Sequence, residues 1–169
     1  MRISRDEMFS QIVQVVAKRS TCLRSQVGAL IVKDGRIISM GYNGPVSGMS
    51  ECSRKPPHWD TIMEFSRDDT LGFELREQRS KLASTFCEGP GCTRSLHAET
   101  NAIAFAARAG VSVEGCTMYC SMSPCINCAK VIVNSGIKEV KFLEKYRNED
   151  GIELLQKSGI TVEYLKGGA

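Results

Sequence analysis

Apolar residues near the start of the chain repeat at helical spacing. Met8, Phe9, Ile12, Val13, Val15 and Val16 predict a helix over Arg5 to Ser20 with one buried face. The period then changes. Val27 to Val32 is a short run rich in β-branched residues, Lys33-Asp34-Gly35-Arg36 turns the chain, and Ile37 to Met40 returns, so the two runs read as a β-hairpin. From Gly41 to about Ala83 the pattern dissolves. Gly41, Gly44, Pro45, Gly48, Pro56 and Pro57 mark loops, and Ser66 to Ser84 is strongly charged, which reads as an insertion at about 53–86 with a short surface helix. Beyond it the periods alternate. Helices are expected over His97 to Arg108 (closed by Gly110), Pro124 to Ser135 (opened by proline, closed by Gly136) and Asp150 to Lys157 (ending near Gly159). Strands are expected over Thr117 to Met122, Glu139 to Leu143 and Ile160 to Leu165. Such alternation predicts an α/β layered sheet with parallel pairing among the later strands.

Composition narrows the class. The 169 residues, 42% of them apolar, suffice for one compact domain. The segment Met1 to Glu7 is charged, and the longest apolar stretch near it, Ile12 to Ala17, is broken by Gln14. That is too short for a signal peptide or a spanning helix, so a cytoplasmic protein with no membrane partner is expected. A net charge of +3 with both signs interspersed lacks the basic stripe of a nucleic-acid surface, so no nucleic-acid partner is expected. Eight cysteines in a reducing compartment read as metal ligands or redox groups rather than disulfides.

Two segments carry chemistry: Leu96-His97-Ala98-Glu99 and Pro124-Cys125-Ile126-Asn127-Cys128. Cys125 and Cys128 start a helix three residues apart, so both sulfurs face one side of a turn. With His97 they make three ligands for a tetrahedral zinc, leaving the fourth position for water. His97 also opens a helix, so two helix N-termini would converge on the metal, where their amides and dipoles favour thiolate. Glu99 is placed to carry protons between the water and a leaving amine. This His-x-Glu with Pro-Cys-x-x-Cys pattern is the signature of zinc-dependent nucleobase deaminases. The rival reading, a purely structural zinc knot, requires a fourth protein ligand and leaves Glu99 idle.

Four motifs together resemble the deoxycytidylate (dCMP) deaminases of the cytidine deaminase superfamily. They are Ser20 to Arg24 before Val27-Gly28-Ala29; Gly41-Tyr42-Asn43-Gly44; His97-Ala98-Glu99 with Asn101-Ala102-Ile103; and Pro124-Cys125 to Lys130. The resemblance covers roughly 5–52 and 87–165. It implies a three-layer cytidine-deaminase-like fold, with a central mixed five-stranded sheet and helices on both faces, as a single domain over 1–169. It further implies catalytic zinc (Zn2+) on His97, Cys125 and Cys128, Glu99 as proton shuttle, Asn43 near the nucleotide sugar, and dCMP converted to dUMP for thymidylate synthesis. Hexameric homo-oligomers regulated by dCTP and dTTP, through the loop Pro45 to Met49, are also implied. Alternatives are a zinc deaminase acting on another cytosine- or purine-containing substrate, such as a nucleoside or a tRNA base, and a non-catalytic zinc-stabilised module.

Cys22, Cys52, Cys87 and Cys92 fall in loop-like contexts, and Cys22 is expected to end the first helix. They suggest a second, structural zinc in a closed four-cysteine site tying the insertion to the active-site wall; thiols without metal, or His58 in place of one cysteine, are the alternatives. Cys116 and Cys120 share a strand face and read as small buried hydrophobes. Ala98 is a candidate substrate contact, as is Tyr119, which either stacks on the base or simply packs. Arg24, with Arg54 and Lys55, is a candidate phosphate ligand. Trp59 and Phe65 either cover the site or pack an oligomer.

Overall fold

The computed structural model describes residues 2–22, 24–49, 52, 92 and 94–165. Strand β1 (Gly28–Lys33) and strand β2 (Arg36–Tyr42) form an antiparallel hairpin. Its turn, Asp34-Gly35, takes φ of 51° and 73°, the paired positive values that match the twist of the flanking strands. β1 also pairs antiparallel with β5 (Thr117–Met122). β5, β6 (Glu139–Glu144) and β7 (Thr161–Tyr164) then run parallel, so the mixed sheet has the order β2-β1-β5-β6-β7.

Helix α1 (Arg5–Ala17) covers one face. Ser4 caps it by accepting from the Glu7 amide at 3.0 Å, and Asp6 and Glu7 in its first turn suit the helix dipole. Phe9, Val13 and Val16 pack on Leu30, Val32 and Tyr119 of the sheet. The opposite face carries α2 (Ala98–Arg108), α3 (Ile126–Asn134) and α4 (Asp150–Lys157). Their Ala98, Ala102, Ala106, Ala129, Ile132 and Leu155 lie over Ile31, Met118, Cys120, Val140 and Phe142. The expected three-layer architecture, parallel later strands included, is therefore present. Cys116 and Cys120 are buried in this larger core, as their spacing implied.

Three details differ from the sequence reading. α1 ends at Ala17 because Ser20 is held elsewhere: its hydroxyl donates to the Asn43 carbonyl at 2.7 Å and accepts from the Cys22 amide at 3.2 Å. Cys22 consequently lies in the loop beyond the helix rather than at its end. β2 runs on to Tyr42, pairing Gly41 with Ala29. A two-residue ladder, β3 (Gly44–Pro45) with β4 (Ser95–Leu96), pairs Gly44 with Leu96 and sets Asn43 close to His97. The expected insertion and its surface helix, with Trp59, Phe65, Arg54, Lys55 and His58, lie outside the described residues. Among the described residues no helix is long and apolar enough to cross a membrane.

A polar cluster pins α1 to the sheet. Tyr119 donates to Asp6, and the half-buried Lys141 reaches Asp6 and Glu163 at 3.0 Å each and Glu139 at 3.7 Å. The hydrogen bond from Tyr119, then the contact with Lys141, holds the Asp6 carboxyl below its ordinary range despite some burial. A depressed carboxylate pKa adds stability that is present above the unfolded value near 3.9 and is lost as pH falls through the folded one. Asp6 is partly exposed, so the effect is modest: Asp6→Asn should lower Tm by roughly 1–3 °C at neutral pH. The difference should fade below about pH 4 in thermal melts. A gap that stays constant into strong acid would mean that packing, not charge, holds α1.

Candidate active site

Two helix beginnings meet beside the carboxyl end of β5. His97 and Cys125 occupy the N-cap positions of α2 and α3, and neither side chain caps its own helix. Both turn instead toward a common point with Cys128, one turn into α3. His97 Nδ1 lies 3.5 Å from Cys125 Sγ and 3.4 Å from Cys128 Sγ, and the three donor atoms all lie within 4.8 Å of one another. Tetrahedral zinc with bonds of about 2.3 Å to sulfur and about 2.0 Å to nitrogen requires an N···S edge of roughly 3.5 Å. The donors already stand at that spacing, and the soft thiolate–imidazole set suits zinc.

Charge at the site follows from the same contacts. Cys125 is drawn down to about 3, first by its hydrogen bond with Cys128 and then by that with His97. The matching bond, with burial, pushes Cys128 up, and a bound cation requires both sulfurs as thiolates. His97 is pushed up, chiefly by its bond to Cys125. Thr100 Oγ1 lies 3.7 Å from Cys128 Sγ. Glu99, in the first turn of α2, is only 3% exposed, and burial pushes its carboxyl above the ordinary range. Cys120 beneath it is fully buried, and its thiol is raised well above its usual value by burial and then by Glu99.

A cavity of about 500 Å³ opens onto these groups. His97, Ala98, Glu99, Cys125, Asn43 and Arg24 all line it, so most of the expected site residues come together. Asn43 also builds the wall. Its Oδ1 accepts from the Val27 amide and its Nδ2 donates to the Ser25 carbonyl, both at 2.8 Å, clamping the segment that delivers Arg24. Tyr119 does not join them. Alternation along β5 turns Met118 and Cys120 toward α2 and α3, and turns Tyr119 the other way, where its ring lies 5.0 Å from that of Phe9 beneath α1. The candidate base contact is thus corrected to a packing residue on the far face of the sheet.

Sequence reasoning missed Tyr146, Arg147 and Asn148, which line the cavity from the turn after β6. The available signal was positional, since parallel sheets bind ligands at the carboxyl ends of their strands. The Arg147 guanidinium lies 5.4 Å from the centre of the Tyr146 ring. Cys22 and Cys92 also border the cavity. Burial, followed by the charges of Cys22 and Cys92, raises the Cys52 thiol. Among the described residues, however, only His97, Cys125 and Cys128 bring three such donors within 4.8 Å. Cys87 lies outside the described residues.

Two glycines fix the metal-binding turns. A Cβ on Gly41 would sit 2.4 Å from the Ala98 carbonyl and 2.5 Å from the Ala102 amide; one on Gly151 would sit 2.1 Å from the Pro124 carbonyl. Backbone presses on backbone at both places.

A convergent His, Cys, Cys set beside a buried glutamate defines a zinc-type hydrolytic centre. The chain belongs to the cytidine and deoxycytidylate deaminase family: residues 3–144 match the family's zinc-binding region. It is 38% identical over 174 residues to the deoxycytidylate deaminase of Enterobacteria phage T2, covering 90% of this chain and 87% of that one. It is 35% identical over 146 residues to the human deoxycytidylate deaminase, covering 85% and 67%. The crystal structure of the cyanophage S-TIM5 dCMP deaminase in complex with dCMP and dUMP superposes with a TM-score of 0.71 at 29% identity, covering 98% of this chain and 99% of that one.

Gly41→Ala should force α2 off β2. We expect Tm to fall by roughly 6–12 °C, as for a loss of about 3 kcal/mol in a domain of this size. An unchanged melting point would show that α2 is seated by something else.

Proposed function

We propose that this chain is a zinc-dependent deoxycytidylate deaminase that converts dCMP and water to dUMP and ammonia, supplying dUMP for thymidylate synthesis. One observation carries the reading: His97 and Cys125, two corners of a zinc-spaced triangle completed by the buried Cys128, line the same nucleotide-sized cavity as the buried Glu99. The phage and human relatives, and the neighbour in complex with dCMP and dUMP, support the choice of substrate.

Zinc held by His97, Cys125 and Cys128 supplies the Lewis acidity that makes water a nucleophile at neutral pH. Glu99 takes the proton of the attacking water and hands it to the pyrimidine ring nitrogen as the oxygen joins C4. It then passes the second proton to the exocyclic amine, which leaves as ammonia. A carboxyl whose burial raises its proton affinity is suited to act as base and then as acid. Ala98 is the first residue of α2, and its amide is one of those a helix leaves without an intrahelical acceptor, so it can hold the base carbonyl. Asn43 faces the sugar, and Arg24 and Arg147 take the phosphate, which a guanidinium binds through paired hydrogen bonds.

The same reading includes a second, structural zinc on Cys22, Cys52, Cys87 and Cys92, supported by the placement of Cys22 and Cys92 on one cavity wall and by their charges acting on Cys52. It also includes one domain over 1–169 with an insertion at about 53–86, hexameric assembly, dCTP activation with dTTP inhibition, and a cytoplasmic setting. Met40 and Tyr42 on the edge strand and Phe105 on α2 are exposed and offer apolar surface for self-association.

Glu99→Gln should retain zinc while ammonia release from dCMP falls by about 10³-fold or more. Wild-type protein should favour dCMP over deoxycytidine, cytidine and a tRNA anticodon loop assayed side by side; turnover confined to the RNA would overturn the nucleotide reading. Elemental analysis should find about two zinc ions per chain, since a closed thiolate site holds its metal through purification. A firm value of one would remove the second site.

A further inference from the structure

The turn that presents Cys125 is tied to the turn that presents Tyr146, Arg147 and Asn148, and the hydroxyl of Ser123 is part of the tie. Ser123 is 3% exposed. Its amide donates to the Glu144 carbonyl at 2.8 Å, and its hydroxyl oxygen accepts from the Tyr146 amide at 2.8 Å. At the next residue, the Pro124 carbonyl meets the α-carbon of Gly151 with no room for a methyl group. The segment between, Lys145 to Glu149, is thus anchored at its start by Ser123 and at its end by α4. Asn148 Nδ2 donates to Asp150 Oδ2 at 3.1 Å at the α4 end, so the Ser123 hydroxyl is the side-chain bond that holds the Tyr146 end.

We propose that Ser123 is a positioning residue: its hydroxyl fixes the Tyr146–Asn148 segment against the cavity and so sets the affinity for the nucleotide. This rests on the dCMP reading for its kinetic consequence, because Arg147 is assigned there to the phosphate. The physical argument is the asymmetry of hydrogen-bond loss. Removing the hydroxyl takes away the acceptor that the buried Ser123 offers the Tyr146 amide, and the largely exposed segment is then free to swing toward solvent. Arg147 leaves the cavity with it. The thiolates stay, because Cys125 and Cys128 are held by α3 and by Gly151.

The test compares Ser123→Ala with Ser123→Thr, which keeps an acceptor oxygen, in the intact zinc-loaded protein. For Ser123→Ala we expect KM for dCMP to rise about ten-fold and kcat to change less than about three-fold, with zinc content at the wild-type level. Tryptic cleavage after Lys145 or Arg147 should be roughly five-fold faster or more, because the segment opens more often. Ser123→Thr should restore both readouts. Unaltered KM and cleavage would overturn the proposal. So would a parallel loss of kcat and zinc, which would make Ser123 a support of the metal turn instead. Faster cleavage with unaltered KM would show that the segment does not hold the nucleotide. Wild-type protein inactive on dCMP would overturn the substrate reading, while the cleavage comparison would still decide the anchoring.

Discussion

The site depends on bringing two helix N-termini closer together than side chains would normally allow. Ordinary packing separates helices and strands by the thickness of their side chains, but here that thickness is removed where it matters. Gly41 lets the first turn of α2 rest directly on β2, and Gly151 lets α4 rest directly on the Pro124–Cys125 turn. Alanines along the buried side of α2 continue the close approach. Backbone contacts of this kind are stiff, since no rotamer can relax them. The imidazole and the two thiols therefore meet at metal-bonding distance as a consequence of the fold.

Using N-cap positions for ligands has an electrostatic benefit as well. A cap residue leaves the helix with its side chain free to face outward, while the first amides and the dipole favour anionic sulfur. The same geometry places Glu99 inside the first turn of α2, buried beside the metal donors rather than in solvent. Burial raises its proton affinity, and a backbone hydrogen bond and then the neighbouring His97 moderate the rise. A buried carboxyl and a metal-spaced triangle thus come from two short stretches of chain that the sheet brings together.

Much of this was legible in the sequence. The alternation from His97 onward gave unambiguous elements, because each apolar run had a clear period and a glycine or proline boundary. The ligand spacing pointed to zinc before any geometry was known. What stayed hidden was tertiary. The end of α1 is set by hydrogen bonds from Ser20 to residues more than twenty positions away or outside helical register. The two-residue β3–β4 ladder is too short to carry a period. Strand alternation told that Tyr119 and Cys120 face opposite ways but not which way the cavity lies. Tyr146 to Asn148 sit in a turn, where polar residues are expected whether or not they touch a ligand.

The contrast between two sulfurs close to the reacting centre has a consequence for durability. Cys120, buried under Glu99, resists ionisation and is a poor target for peroxides or alkylating agents. Cys125 is the opposite: its neighbours stabilise the thiolate, the form that oxidants attack. A bound cation occupies that sulfur's lone pairs and shields it. Loss of the cation would therefore leave Cys125 open to oxidants as well as removing the metal.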